Sequence, residues 1–177
     1  MADASVRAAA AADAPAVAAA QAAAWERTFA GSLPAEVIDH LRGPDAVEQW
    51  RLAATQPPSG RHRLLVAETA GEVVGFAAIG PAVDDDLDAS TAAELLAIGV
   101  LPDRTGEGHG SRLVNASVDH LRGDGFATAY VWLTDADPLR PFLESAGWAD
   151  DGARRSLDLH GDGDVLLGQL RLHTSIA

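Results

Sequence analysis

LLAIGVLPDRTGEGHGSRL, Leu95 to Leu113, carries an apolar strand into a glycine-rich turn and out into a helix. The strand, read from Glu94 to Val100, is apolar except at its first residue and Gly99, and Pro102 with Asp103 ends it. Gly106, Gly108 and Gly110 then let backbone amides approach a ligand with no Cβ in the way. A helix from about His109 to Arg122 follows, with Leu113, Val114, Ser117, Val118 and Leu121 on one side and Gly123 and Gly125 after it. A helix start offers unpaired N–H groups and the positive end of the helix dipole. Loop and helix start together make an anion site suited to a pyrophosphate.

Several families build such a turn. The dinucleotide fingerprint asks for glycine where Ser111 stands, and a P-loop asks for a lysine that is absent here. On the glycines alone, a nucleotide site and a purely structural strand-to-helix turn both remain open.

Upstream, a short strand falls around Ser5 to Arg7. Asp13 then caps a helix with Pro15 in its first turn. Val17, Ala20, Ala24 and Phe29 with Trp25 form its stripe, and Gly31 stops it. Ser32 and Pro34 open a second helix with Val37, Ile38 and Leu41 inward, and a third carries Val47 and Trp50 before Pro57 and Pro58. Leu64 to Ala67 and Val73 to Ile79 form a buried antiparallel hairpin about a two-residue turn at Ala70 and Gly71. Asp84, Asp85, Asp86 and Asp88 mark an exposed acidic loop. Downstream lie a strand at Ala127 to Leu133 and a short helix at Pro138 to Ala146. A final hairpin joins Ser156 to Leu159 and Val165 to Leu172 through Gly161 and Gly163. The order is that of a mixed α/β domain with a largely antiparallel start.

The length, 177 residues, suits a single domain over 1–177. Hydrophobic residues make up 47%, much of it alanine, so few large side chains carry the core. No cysteine is present, which excludes a disulfide scaffold, a thiolate zinc site and a catalytic cysteine, and fits a reducing cytoplasm. A net charge of −13 repels nucleic-acid phosphate and anionic lipid and attracts a cation such as an amine. Met1 to Ala12 lacks the basic start and leucine-rich core of a signal peptide. Ala8 to Ala24, broken by Asp13, Pro15 and Gln21, is a poor membrane span. His40, His62, His120, His160 and His173 show no metal-ligand spacing, and no metal is expected.

The central segment resembles the acetyl-CoA signature of the GNAT superfamily of N-acetyltransferases, Q/R-x-x-G-x-G/A after a strand ending in Val-x-Pro. Val100, Leu101 and Pro102 supply the strand end, and Gly108 and Gly110 the two small positions. The Q/R position falls on Thr105, with Arg104 one residue early. Phe142 to Trp148, FLESAGW, resembles the family's F-Y-E-x-x-G-F segment. The resemblance implies an α/β fold of α+β type: a mixed, mostly antiparallel sheet of about six to seven strands flanked by about four to five helices.

It also implies a chemistry, transfer of acetyl from acetyl-CoA to a primary amine of a small molecule or peptide. Backbone groups of Ile98 and Val100 are expected to hold the pantetheine arm. The loop from Arg104 and Thr105 through Gly106, Gly108, His109, Gly110 and Ser111 is expected to hold the pyrophosphate. His109 contributes its amide in this reading, with its ring facing solvent. Glu94 matches a glutamate that acts as general base in histone-type members; a neutral amine is needed for attack, and a carboxylate removes the proton. The tyrosine that commonly protonates the departing thiolate falls on Leu143, which cannot donate. Tyr130, the chain's single tyrosine, is the candidate to replace it. Leu143 also motivates an alternative, a non-catalytic acyl-CoA-binding module. Trp25 and Phe29 sit on the first helix, which borders the acceptor pocket in this family. The C-terminal strands can pair between chains as a homodimer.

Overall fold

Ala70 and Gly71 both take left-handed backbone, with φ of +51° and +81°. Two consecutive positive φ values match the twist of a two-residue hairpin. The turn joins β2 (Arg63–Thr69) to β3 (Glu72–Pro81), with Thr69 opposite Glu72. This computed structural model describes residues 4–159 and 161–177. Met1, Ala2, Asp3 and His160 lie outside the described residues, and so do the expectations placed on them.

Seven described strands form one sheet in the order β1-β2-β3-β4-β5-β7-β6, and five helices flank it. β1 (Ala4–Ala8) pairs with β2, and β3 with β4 (Ala92–Val100). β5 (Thr128–Leu133) runs parallel to β4, because α4 (His109–Gly123) carries the chain back between them. β7 (Leu166–Ser175) lies between β5 and β6 (Ala149–Asp158), antiparallel to both. The mixed, mostly antiparallel fold expected from the sequence is the one observed.

The sheet buries both faces. On one, Leu113 and Leu121 of α4 and Leu143 of α5 (Leu139–Ser145) pack on Leu95, Val131 and Leu172. On the other, Val17 and Ala20 of α1 (Ala14–Thr28) and Trp50 of α3 (Pro44–Thr55) pack on Val66 and Phe76. The small residues of α1 let it approach closely. A Cβ on Gly99, beneath it, would stand 2.8 Å from Phe76 Cε1. Trp50 meets Phe76 edge-on at 5.1 Å and donates its Nε1–H to Gln21. α2 (Ala35–Arg42) buries only Ile38; Val37 and Leu41 stay half-exposed.

Three expectations need correction, the first being β6, which runs from Ala149 to Asp158 rather than from Ser156 to Leu159. Asp13 does not cap α1 through its side chain; its carboxylate accepts from the Ala10 amide at 2.7 Å and pairs with Arg7. The acidic loop, exposed at Asp85, Asp86 and Asp88 as expected, is also anchored. Asp84 and Asp86, with Asp151, surround the buried Arg171 guanidinium at 3.1, 2.6 and 2.7 Å. Trp132 Nε1–H also donates to Asp84. The third correction, at His109, belongs to the site.

Candidate active site

Two backbone irregularities open the site. The β4–β5 pairing covers Ala92 to Glu94 against Thr128 to Tyr130 and ends there, so the two strands splay beyond it. The β3–β4 register also shifts: Ala78 faces Ala97 but Ile79 faces Leu95, leaving Leu96 as an extra, exposed residue. A bulge beside a splay turns backbone groups of β4 toward the gap instead of a partner strand. A cavity of about 560 Å³ fills that gap, within the range of small-molecule sites.

The glycine turn closes one end of the cavity. Gly106 and Gly108 take φ of +85° and +82°, and Gly108 caps α4. The first hydrogen bond of α4 runs from Arg112 N–H to Gly108 O. The amides of His109, Gly110 and Ser111 therefore have no helical partner, and all three residues line the cavity. A Cβ on Gly106 or Gly110 would meet nothing within 4 Å. Free amides, open space above them and the helix dipole fit the diphosphate of acetyl-CoA. Ile98, Val100, Arg104 and Thr105 line the same cavity.

His109 is the third correction. Its side chain is 2% exposed, not solvent-facing. Nε2 lies 3.2 Å from Glu107 Oε2, and Nδ1 is buried without a partner among the described residues. The helix start turns this position inward under the loop, which a polar residue type did not suggest.

Arg27 was not anticipated. From α1 it donates to Pro102 O at 3.0 Å and Thr105 Oγ1 at 2.9 Å. It thereby braces the loop that the missing Q/R side chain leaves unheld. Arg104 instead lies 3.5 Å from Glu72 and 4.0 Å from Glu107. No local pattern links positions so far apart in sequence. Arg27→Ala is expected to weaken acetyl-CoA binding about tenfold, the scale of one charged hydrogen-bond set, with little change in thermal midpoint; calorimetric titration checks it.

Glu94 is 5% exposed and its Oε2 is buried without a hydrogen bond among the described residues. Burial pushes its carboxyl up to about 7; Arg155 and Arg171 oppose this and Asp84 adds to it. It adjoins Leu95, which lines the cavity, but neither Glu94 nor its register partner Tyr130 lines it. The Tyr130 ring stacks on His173 at 5.9 Å. Leu143 is fully buried in the core, while its neighbour Phe142 faces the cavity. Trp25 and Phe29, edge-to-face at 5.4 Å, line the same cavity. Asp137 and Trp132 line it too, and neither was singled out as a site residue from sequence.

A model of the acetyltransferase (GNAT) family matches residues 22–148. The uncharacterized N-acetyltransferase YuaI of Bacillus subtilis is 24% identical over 121 residues, covering 68% of this chain and 66% of that protein. The chain thus spans slightly less than two thirds of that relative's length. Among solved structures, the PaiA N-acetyltransferase of Thermoplasma acidophilum, in complex with coenzyme A, matches with a TM-score of 0.76 at 16% identity over 98% of this chain and 99% of that one. A GCN5-related N-acetyltransferase from Rhodopseudomonas palustris matches with a TM-score of 0.73 at 20% identity, over 97% and 94%. At these identities the structural likeness shows the fold. No described helix is long and apolar enough to cross a membrane.

Proposed function

Because the chain belongs to the GNAT family of acetyltransferases, we propose that it transfers acetyl from acetyl-CoA to the primary amine of a small molecule or peptide. One observation carries this reading. One cavity is lined both by the free amides at the start of α4 and by aromatic side chains of α1 and β5. A donor bound by its diphosphate at the loop would reach along the splayed strands toward an acceptor in the same cavity.

Acetyl-CoA supplies the acetyl group as a thioester. The amides of Gly108, His109, Gly110 and Ser111 hold the diphosphate, with Arg104, Thr105 and Gly106 shaping the loop. Backbone groups of Ile98 and Val100 hold the pantetheine arm. Glu94, its carboxyl raised to about 7, takes a proton from the acceptor amine through water, since it stands one residue behind the cavity wall. A carboxyl near the working pH suits that task. Tyr130 is given no proton, because its ring is stacked on His173 outside the cavity. With Leu143 in the core, the sulfur takes its proton from solvent, which a thiol of pKa about 8.5 permits. A cytoplasmic location, expected from the cysteine-free sequence, belongs to this reading.

Calorimetric titration with acetyl-CoA and with coenzyme A, followed by amine-dependent thiol release, tests it. Saturable binding of both and thiol release with at least one amine are expected. Binding without turnover on a broad amine panel would select the alternative that Leu143 favours, a non-catalytic acyl-CoA-binding module. Failure to bind either ligand would refute both.

A further inference from the structure

We propose that the acceptor is a small primary amine with an apolar or aromatic body and no acidic group, its ammonium drawn to Asp137. The inference rests on the acetyl-transfer reading above and narrows it.

Trp25 of α1, Phe29 just after that helix, Trp132 of β5, Phe142 of α5 and Leu167 of β7 wall the cavity. Such a wall favours burial of an apolar body, and the faces of its rings attract a cation. It offers nothing for an anion. The two arginines that line the cavity are engaged at the loop end, Arg27 with Pro102 and Thr105, and Arg104 beside Glu72 and Glu107. Arg155 and Arg171 stand behind Trp132, outside the lining, held by Gln169 and by the aspartate cluster. Among the described residues that line the cavity, no arginine or lysine is uncommitted. A carboxylate or phosphate brought against that wall would be desolvated without compensation.

Among the described residues, Asp137 is the one carboxylate that lines the cavity. Its Oδ1 accepts the Leu139 amide at 2.9 Å at the start of α5. Burial pushes its pKa up, with that amide acting against the shift. A cation beside it relieves the cost of the buried charge, and a second anion adds to it. The chain's net charge of −13 favours the approach of the same cation.

The step balances for such an acceptor. The ammonium loses one proton to become nucleophilic, and its nitrogen bonds to the acetyl carbon as the C–S bond breaks with its electron pair on sulfur. Of the two protons the nitrogen sheds in all, one ends on sulfur and one in solvent.

Initial rates with acetyl-CoA on 2-phenylethylamine, phenylalanine and spermidine test the class, the first two differing by one carboxylate. We expect kcat/KM for 2-phenylethylamine to exceed the other two by about a hundredfold, as expected when one acceptor leaves a buried charge unpaired. Equal or better turnover of phenylalanine or spermidine would overturn the proposal. Asp137→Asn keeps an oxygen to accept from Leu139. It should raise the KM for 2-phenylethylamine about tenfold, the scale of a lost charge pair, while the calorimetric Kd for acetyl-CoA stays unchanged. An unaltered KM would remove Asp137 from recognition. No acetyl-CoA binding, or no thiol release with any amine, would instead sink acetyl transfer itself.

Discussion

Gly110→Trp eliminates acetyl-CoA binding while the protein stays folded. Gly110 lies in the first turn of α4 and lines the cavity. Its φ is not in the left-handed region, so a side chain meets no backbone strain. A Cβ there would have no heavy atom within 4 Å, so the fold has room for the substitution. That room is where an anion must come to reach the amides of His109, Gly110 and Ser111, and an indole would occupy it. The affinity loss should be at least about a hundredfold, or roughly 2.7 kcal/mol. Gly110→Ala is the control: it should keep binding and gain about 0.5–1 kcal/mol of helix stability. Gly108 would give a less readable result, because its φ of +82° strains any side chain and its Cβ would stand 3.2 Å from Arg112 Nη1. Calorimetric titration with thermal unfolding separates the two effects. Full affinity in Gly110→Trp would place the donor somewhere other than the turn.

The part of this site that lies along the chain was legible in the sequence. The strand from Glu94, the turn and the helix from His109 are contiguous, so apolar spacing and glycine placement report them directly. The hairpin at Ala70–Gly71 is legible for the same reason. Interactions between distant segments were hidden. Arg27 reaches Thr105 across 78 positions, and Arg171 gathers Asp84 and Asp86 across 87 and 85. Neither arginine differs in local context from a solvated one. β6 was read as Ser156 to Leu159 and runs instead from Ala149 to Asp158. It stands at the sheet edge with most side chains exposed, so no apolar alternation marks it. His109 misled because residue type suggested solvent where geometry demands burial. The splay of β4 from β5 depends on pairing that only the assembled sheet defines.

Glu94→Gln has two expected effects of opposite sign, and together they test both the burial and the role of this carboxyl. On activity, the carboxylate form is the proton acceptor, so wild-type kcat/KM should rise as pH passes through about 7. The glutamine variant should lose that limb and fall by about a hundredfold or more at neutral pH, the usual scale for a general base. On stability, the folded pKa is raised from the ordinary 4.5 to about 7, chiefly by burial. Between those values the folded protein binds more protons than the unfolded chain, so stability falls as pH rises across the window. The cost is absent below about 4.5, is fully present above about 7, and reaches at most about 3 kcal/mol. Glutamine matches glutamate in shape but carries no charge, so the variant should be more stable than wild type at pH 8 by up to that amount. The difference should shrink toward zero near pH 4.5. Chemical denaturation at the two pH values measures it. Reduced activity with no pH-dependent gain in stability would mean that the carboxyl is solvated in the working protein, with its role resting on position alone. A stability gain with unchanged activity would make Glu94 a buried structural residue and send the search for the proton acceptor to the cavity itself, where Asp137 is the only lining carboxylate among the described residues.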